Sequence, residues 1–153
     1  MTDEPGLGAR LRARDLSAAP AVLNLVENRT RADEVAALLR EVGTEPRGHV
    51  IGVTGPPGAG KSSLLSELVR AWRASGRTVA VLAVDPSSKR SGGSLLGDRA
   101  RSEFDPADRG VLIRSTAAGG RLGGLAPATR AAAHALCSAF DIVVIETVGV
   151  GQS

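Results

Sequence analysis

The chain has 153 residues, 42% apolar and 23% charged, with a net charge of +3, the size and balance of one globular domain able to bury a real core. One Trp, two Phe and no Tyr leave little aromatic surface for base-stacking platforms, and the basic residues do not cluster, so no nucleic-acid partner is expected. The single cysteine, Cys137, excludes an internal disulfide and a Cys-based zinc site; without a secretory pattern or a membrane-length apolar run, the expectation is a cytoplasmic protein with no membrane partner.

Residues 1–15 are rich in Gly, Arg and Asp and read as a frayed start. From Leu16 the apolar positions Leu16, Ala19, Leu23 and Val26 recur at helical steps. A second helix carries Val35, Leu38, Leu39 and Val42 on one face, with Gly43 as its stop. Residues 1–46 are therefore expected to form a helical arm, either packed on a main domain at 47–153 or serving a partner.

The next stretch, Val50–Ser63, reads VIGVTGPPGAGKSS. Val50, Ile51 and Val53 predict a strand over about His49–Thr54, and a helix-forming run follows from Lys61 to Ala74. Between them lies Gly55-x-x-x-x-Gly60-Lys61-Ser62, the spacing of a phosphate-binding P-loop. Its glycines let successive backbone N–H groups point inward, and the helix adds the positive end of its dipole. The candidate nucleotide-binding residues are Gly55, Pro56, Pro57, Gly58, Ala59, Gly60, Lys61, Ser62 and Ser63. Lys61 would meet the β- and γ-phosphates and the Ser62 hydroxyl would ligate Mg²⁺. An ordinary Gly/Pro turn is the competing reading, disfavoured by the strand before and the helix after. Leu64, Leu65, Leu68 and Trp72 are the expected buried face of the helix.

Strand two is expected at Thr78–Asp85, a near-continuous apolar run of the kind covered on both faces in parallel sheets. A long Gly/Ser-rich loop to Asp98 follows, then strand three at Val111–Arg114 and a second Gly-rich loop over Ala117–Gly124. A helix at Pro127–Ala139 holds His134 and Cys137 as packed or surface residues rather than ligands. Strand four is expected at Asp141–Thr147. This alternation predicts a right-handed, mostly parallel α/β sheet whose ligands bind beyond the carboxyl ends of the strands. Asp85 and Glu146 end strands two and four, and Asp98 lies in the loop between. With Lys61 they are the catalytic candidates, and with Ser62 the metal candidates. Glu146 closes IVVIE where a Walker-B acid belongs. Gly149 can offer its N–H to a γ-phosphate as switch loops do, and Gln152 is a candidate for positioning water.

Five segments share a wider pattern: GPPGAGKSS, VDPSS at Val84–Ser88, SGGSLLGDRAR at Ser91–Arg101, IRS with LGGLAPATR within Ile113–Arg130, and ETVGVGQS at Glu146–Ser153. Together they resemble the MeaB/ArgK family, the GTPases that chaperone adenosylcobalamin-dependent methylmalonyl-CoA mutase, once labelled LAO/AO transport ATPases. The resemblance runs from about Leu16 to the last residue. It implies a P-loop NTPase domain of the signal-recognition-particle-like class, homodimeric in the full-length protein, that hydrolyses GTP to GDP and phosphate. It puts Lys61 and Ser62 on phosphate and Mg²⁺, and Asp85, Asp98 and Glu146 around the metal and the attacking water. It also implies that GTP gates cofactor loading into the mutase and protects it. The sequence departs from the pattern at Ala117-Ala118-Gly119-Gly120, which lacks an Arg, and at Ser63 and Ser102. The guanine-reading Asn-Lys-x-Asp does not occur, so the preference for GTP rests on the resemblance, and the chain reads as an N-terminal portion of a longer protein. The alternatives are a P-loop kinase, an ATPase, a nickel-delivery GTPase, or a non-catalytic fragment. The Pro56-Pro57 pair argues against the deviant ATPases with an early lysine, and the scattered His49, His134 and Cys137 argue against a nickel site.

Overall fold

In the computed structural model, which describes residues 4–28, 30–56, 60–85, 103–117 and 127–148, the chain begins with helices. α1 spans Leu7–Arg12, α2 Ala19–Glu27 and α3 Ala32–Val42, with a 3-10 turn at Leu16–Ala18. The Asp15 carboxylate accepts the Ser17 amide at 3.2 Å to open that turn. Pro20 sits in the first turn of α2, where its missing N–H is not needed. α3 has Asp33 and Glu34 in its first turn and Arg40 in its last, signs that suit the helix dipole. The frayed start expected of residues 1–15 is corrected over Leu7–Arg12, which forms α1, while residues 1–3 lie outside the described residues. Leu11 is fully buried and Leu7 packs beside it, and that burial outweighs the poor helix propensity of a Gly- and Arg-rich segment.

The remaining elements are β1 (His49–Gly55), α4 (Lys61–Ala74), β2 (Val79–Asp85), β3 (Val111–Ala117), α5 (Pro127–Leu136) and β4 (Ile142–Val148). Their strands form one parallel sheet in the order β1-β4-β2-β3. β3 runs past the expected end at Arg114, because Ser115, Thr116 and Ala117 stay in register with Ala83, Val84 and Asp85. α5 stops before the expected Ala139. The Ser138 and Ala139 amides turn back to the carbonyls of Ala135 and Leu136 at 3.1 and 3.0 Å, a tightening common at helix ends. The Cys137 carbonyl meanwhile accepts the Arg47 and Gly48 amides, both at 3.0 Å. This ties the end of α5 to the entry of β1. At that junction a Cβ on Gly48 would stand 2.1 Å from the Phe140 carbonyl oxygen, so only glycine fits.

Strand side chains alternate between faces, and the core divides accordingly. Ala80, Leu82 and Val84 of β2 and Val143 and Ile145 of β4 face a cluster built with α1, α2, α3 and α5. Val79 and Val81, with Ile142 and Val144, face Leu65 and Val69 of α4. Glu146 falls in the second set by parity, which turns it toward α4. The helix is rotated from the expected face: Leu64 is 58% exposed, while Ser62, Leu65, Ser66 and Val69 are buried. Trp72 packs partly buried against that cluster, as expected.

Polar pairs fasten the opposite end of the sheet. Asp141 accepts the Thr78 amide at 2.8 Å and the Thr78 hydroxyl at 3.1 Å. These bonds, the amide first, hold its carboxyl below the usual range, helped by nearby Arg14 and Arg77. Arg73 near the end of α4 grips both oxygens of Asp108 at 2.9 and 2.7 Å, and that bidentate grip leads the causes lowering the Asp108 carboxyl.

Candidate nucleotide-binding site

β1 delivers Gly55 and Pro56 to the carboxyl edge of the sheet, and α4 starts from Gly60 beside them. Gly60 takes a left-handed conformation, φ 83° and ψ 8°. Among the described residues an added Cβ would meet nothing within 4 Å, and the positive φ alone makes glycine the residue that fits there without strain. Among the described residues no side chain caps α4, and its first turn carries no acidic residue. A helix of 14 residues therefore presents its first N–H groups and the positive end of its dipole to the edge of the sheet, as an anion site requires.

Lys61 and Ser62 are only 7% and 8% exposed at this helix start. The Lys61 ammonium donates to the Thr147 carbonyl at 3.1 Å and reaches the Gly55 carbonyl at 3.5 Å. It thus spans the adjacent strands β1 and β4, in register at Gly55 and Val148. The Thr54 and Thr147 hydroxyls bond across the same pair at 2.9 Å. The Ser62 hydroxyl donates to Glu146 at 3.3 Å, and Glu146 is fully buried. Carboxylates are almost never buried to that degree unless they pair or ligate.

The donor set fits Mg²⁺. Both groups offer hard oxygens, and their 3.3 Å separation is close to the roughly 3 Å between neighbouring oxygens on an octahedral ion with bonds of about 2.1 Å. Among the described residues no three His, Cys, Asp or Glu side chains gather as a metal cage. A Mg²⁺ that shares substrate phosphates and water needs only one or two carboxylates.

The structure thus brings Gly55, Gly60, Lys61, Ser62 and Glu146 together. Pro56 lies beside them, exposed, and Ser63 is exposed on the first turn of α4. Asp85 ends β2 with its backbone opposite Ala117, on the strand that neighbours β4. Pro57, Gly58, Ala59, Asp98, Gly149 and Gln152 lie outside the described residues. Sequence reading missed Ser66, buried one turn beyond Ser62 and hydrogen-bonded to Glu103. The only signal available for Ser66 was its spacing of four from Ser62, which places both on one helix face.

The family model described as methylmalonyl-CoA mutase-associated GTPase MeaB matches residues 19–153. A Caulobacter vibrioides relative is 47% identical over 156 residues, covering 99% of this chain and 48% of its own. The GTPase ArgK of Escherichia coli is 39% identical over 149 residues, covering 94% of this chain and 45% of its own. A crystal structure of a LAO/AO transport system kinase superposes with a TM-score of 0.67 at 33% identity, over 95% of this chain and 43% of that one. This chain spans less than half the length of these relatives. With a P-loop helix on a parallel sheet and a family match that starts within the helical arm and runs through Glu146, the chain belongs to the MeaB family of GTPases.

Proposed function

We propose that this chain binds Mg²⁺ and GTP at the start of α4 and hydrolyses the γ-phosphate to leave GDP. The observation that carries this reading is the pairing of the buried Ser62 hydroxyl with the fully buried Glu146 at the uncapped start of α4. A bound triphosphate would take the first-turn N–H groups of α4 and draw the Lys61 ammonium from the Thr147 carbonyl to its β- and γ-oxygens. Ser62, Glu146, Asp85 and Asp98 would hold the metal and orient the attacking water. Such transfer depends on positioning and charge neutralisation more than on covalent chemistry. Mg²⁺, when bound, neutralises charge on the phosphate oxygens. Gly149, just past β4, would offer its N–H to the γ-phosphate and so report its loss.

The partner we propose is the adenosylcobalamin-dependent methylmalonyl-CoA mutase. The support is the description of the matching family as mutase-associated. In the full-length protein, a cytoplasmic homodimer, GTP state would gate cofactor loading into the mutase and protect the loaded enzyme. Phosphate release from GTP tests the hydrolytic reading. Glu146→Ala should cut the rate by at least roughly tenfold; unchanged turnover would remove Glu146 from the site. The partner is tested by co-elution with the mutase, which should change between GTP- and GDP-loaded protein.

A further inference from the structure

The segment that leads into β3 is laid along α4, and Glu103 meets Ser66, one turn beyond Ser62. Ser62, Ser66 and Arg70 lie one above another on the helix, four residues apart, and each is engaged. Ser62 donates to Glu146 at 3.3 Å. The Ser66 hydroxyl, 2% exposed, contacts two acceptors: the Ser62 carbonyl at 3.0 Å and the Glu103 carboxylate. Arg70 sits 3.7 Å from the same Glu103 oxygen and over the Phe104 ring at 5.6 Å. Farther along the helix, Arg73 holds Asp108. Contacts from Glu103, Phe104 and Asp108 thus fasten this segment along α4.

We infer that Glu103 is a positioning residue for the magnesium site, acting through Ser66 on Ser62. The inference rests on the proposed Mg–nucleotide reading of that site. A serine hydroxyl has one proton, and two acceptors compete for it here. A carboxylate is the stronger acceptor, so Glu103 draws the proton away from the Ser62 carbonyl. Without Glu103, Ser66 bonds fully to the carbonyl four residues back, a contact that bends helices. The bend falls at Ser62 and turns its hydroxyl away from Glu146. Arg70 balances the charge of Glu103, which allows a carboxylate to sit beside a buried helix turn.

The test is a Mg²⁺ titration of this chain with a fluorescent N-methylanthraniloyl GDP, alongside the affinity for that probe in EDTA. Glu103→Ala should raise the Mg²⁺ midpoint on the order of tenfold, the scale of losing a group that supports a metal ligand, and leave the EDTA affinity unchanged. Glu103→Gln leaves only a neutral amide oxygen, no stronger an acceptor than the Ser62 carbonyl, and should raise the midpoint by less than Glu103→Ala; a midpoint equal to wild type would contradict the role given to the carboxylate. The double variant Glu103→Ala with Ser66→Ala removes the competing hydroxyl and should return the midpoint toward wild type. Glu103→Asp, the gentlest change to packing, should give an intermediate shift and serves if Glu103→Ala does not fold. A wild-type midpoint in Glu103→Ala or Glu103→Asp overturns the inference, as does failure of Ser66→Ala to restore it. If the wild-type chain does not bind the probe at all, the nucleotide-site reading fails and this inference falls with it.

Discussion

At the scale of residues, the site rests on short-range facts that sequence spacing encodes well. The P-loop spacing puts glycines where the backbone must curl, and in the structure Gly60 takes a left-handed conformation there, φ 83°. Gly60→Ala should lower stability by about 1–2 kcal/mol, the usual penalty for a left-handed non-glycine. The same change should weaken nucleotide binding, because the first-turn N–H groups lose their aim. Parallel urea melts and probe titrations of the variant check both, and a variant equal to wild type in each would show that the turn is not under strain. Glu146 was legible because it closes an apolar strand. Ser66 and Glu103 were not, since they stand 37 residues apart and meet only because the segment before β3 lies along α4. No local pattern marks a serine whose partner is supplied by tertiary packing.

At the scale of elements, periodicity located helices and strands, and packing decided their faces and ends. α4 began and ended where expected, at Lys61 and Ala74, yet its apolar stripe was misread by one position. Leu64 and Leu65 are equivalent to a count of hydrophobic residues. Ser62 must face Glu146 and Ser66 must face Glu103, and that rotation buries Leu65 and leaves Leu64 outside. α1 was overlooked for the opposite reason. Its composition is poor for a helix, and its stability comes from Leu11 in the shared core. Leu11→Ala should therefore cost about 2–5 kcal/mol, as expected for a buried leucine, readable as a lower urea midpoint; a loss under half a kcal/mol would mean that α1 is a loose appendage. At the entry to β1, Gly48→Ala should cost about 1–3 kcal/mol through overpacking against the Phe140 carbonyl. The same melts check it.

At the scale of the whole molecule, alternation of strand and helix made a parallel sheet legible, but the order β1-β4-β2-β3 was not. That order depends on which strands share a helix layer, and it is what sets Glu146 on the strand beside the P-loop strand. The opposite edge of the sheet responds to acid. Asp141 and Asp108 have carboxyls held below their ordinary range by Thr78 and by Arg73. A lowered folded-state pKa contributes stability that is fully present above the unfolded value, near 4, and disappears as pH falls through the folded value. The urea midpoint should thus be flat from neutral pH to about 5 and decline below about 4. Asp141→Asn should be less stable at neutral pH and show a shallower acid decline; an unchanged acid limb would assign the effect to other carboxylates.

The central claim is that the start of α4, between β1 and β4, is a phosphate site closed by Lys61. Calorimetric titration of Mg–GDP into this chain and into Lys61→Ala tests it most directly. The expected result is saturable binding to one site in the wild type and none measurable in the variant, with both chains folded by circular dichroism. Equal affinity in the two would contradict it.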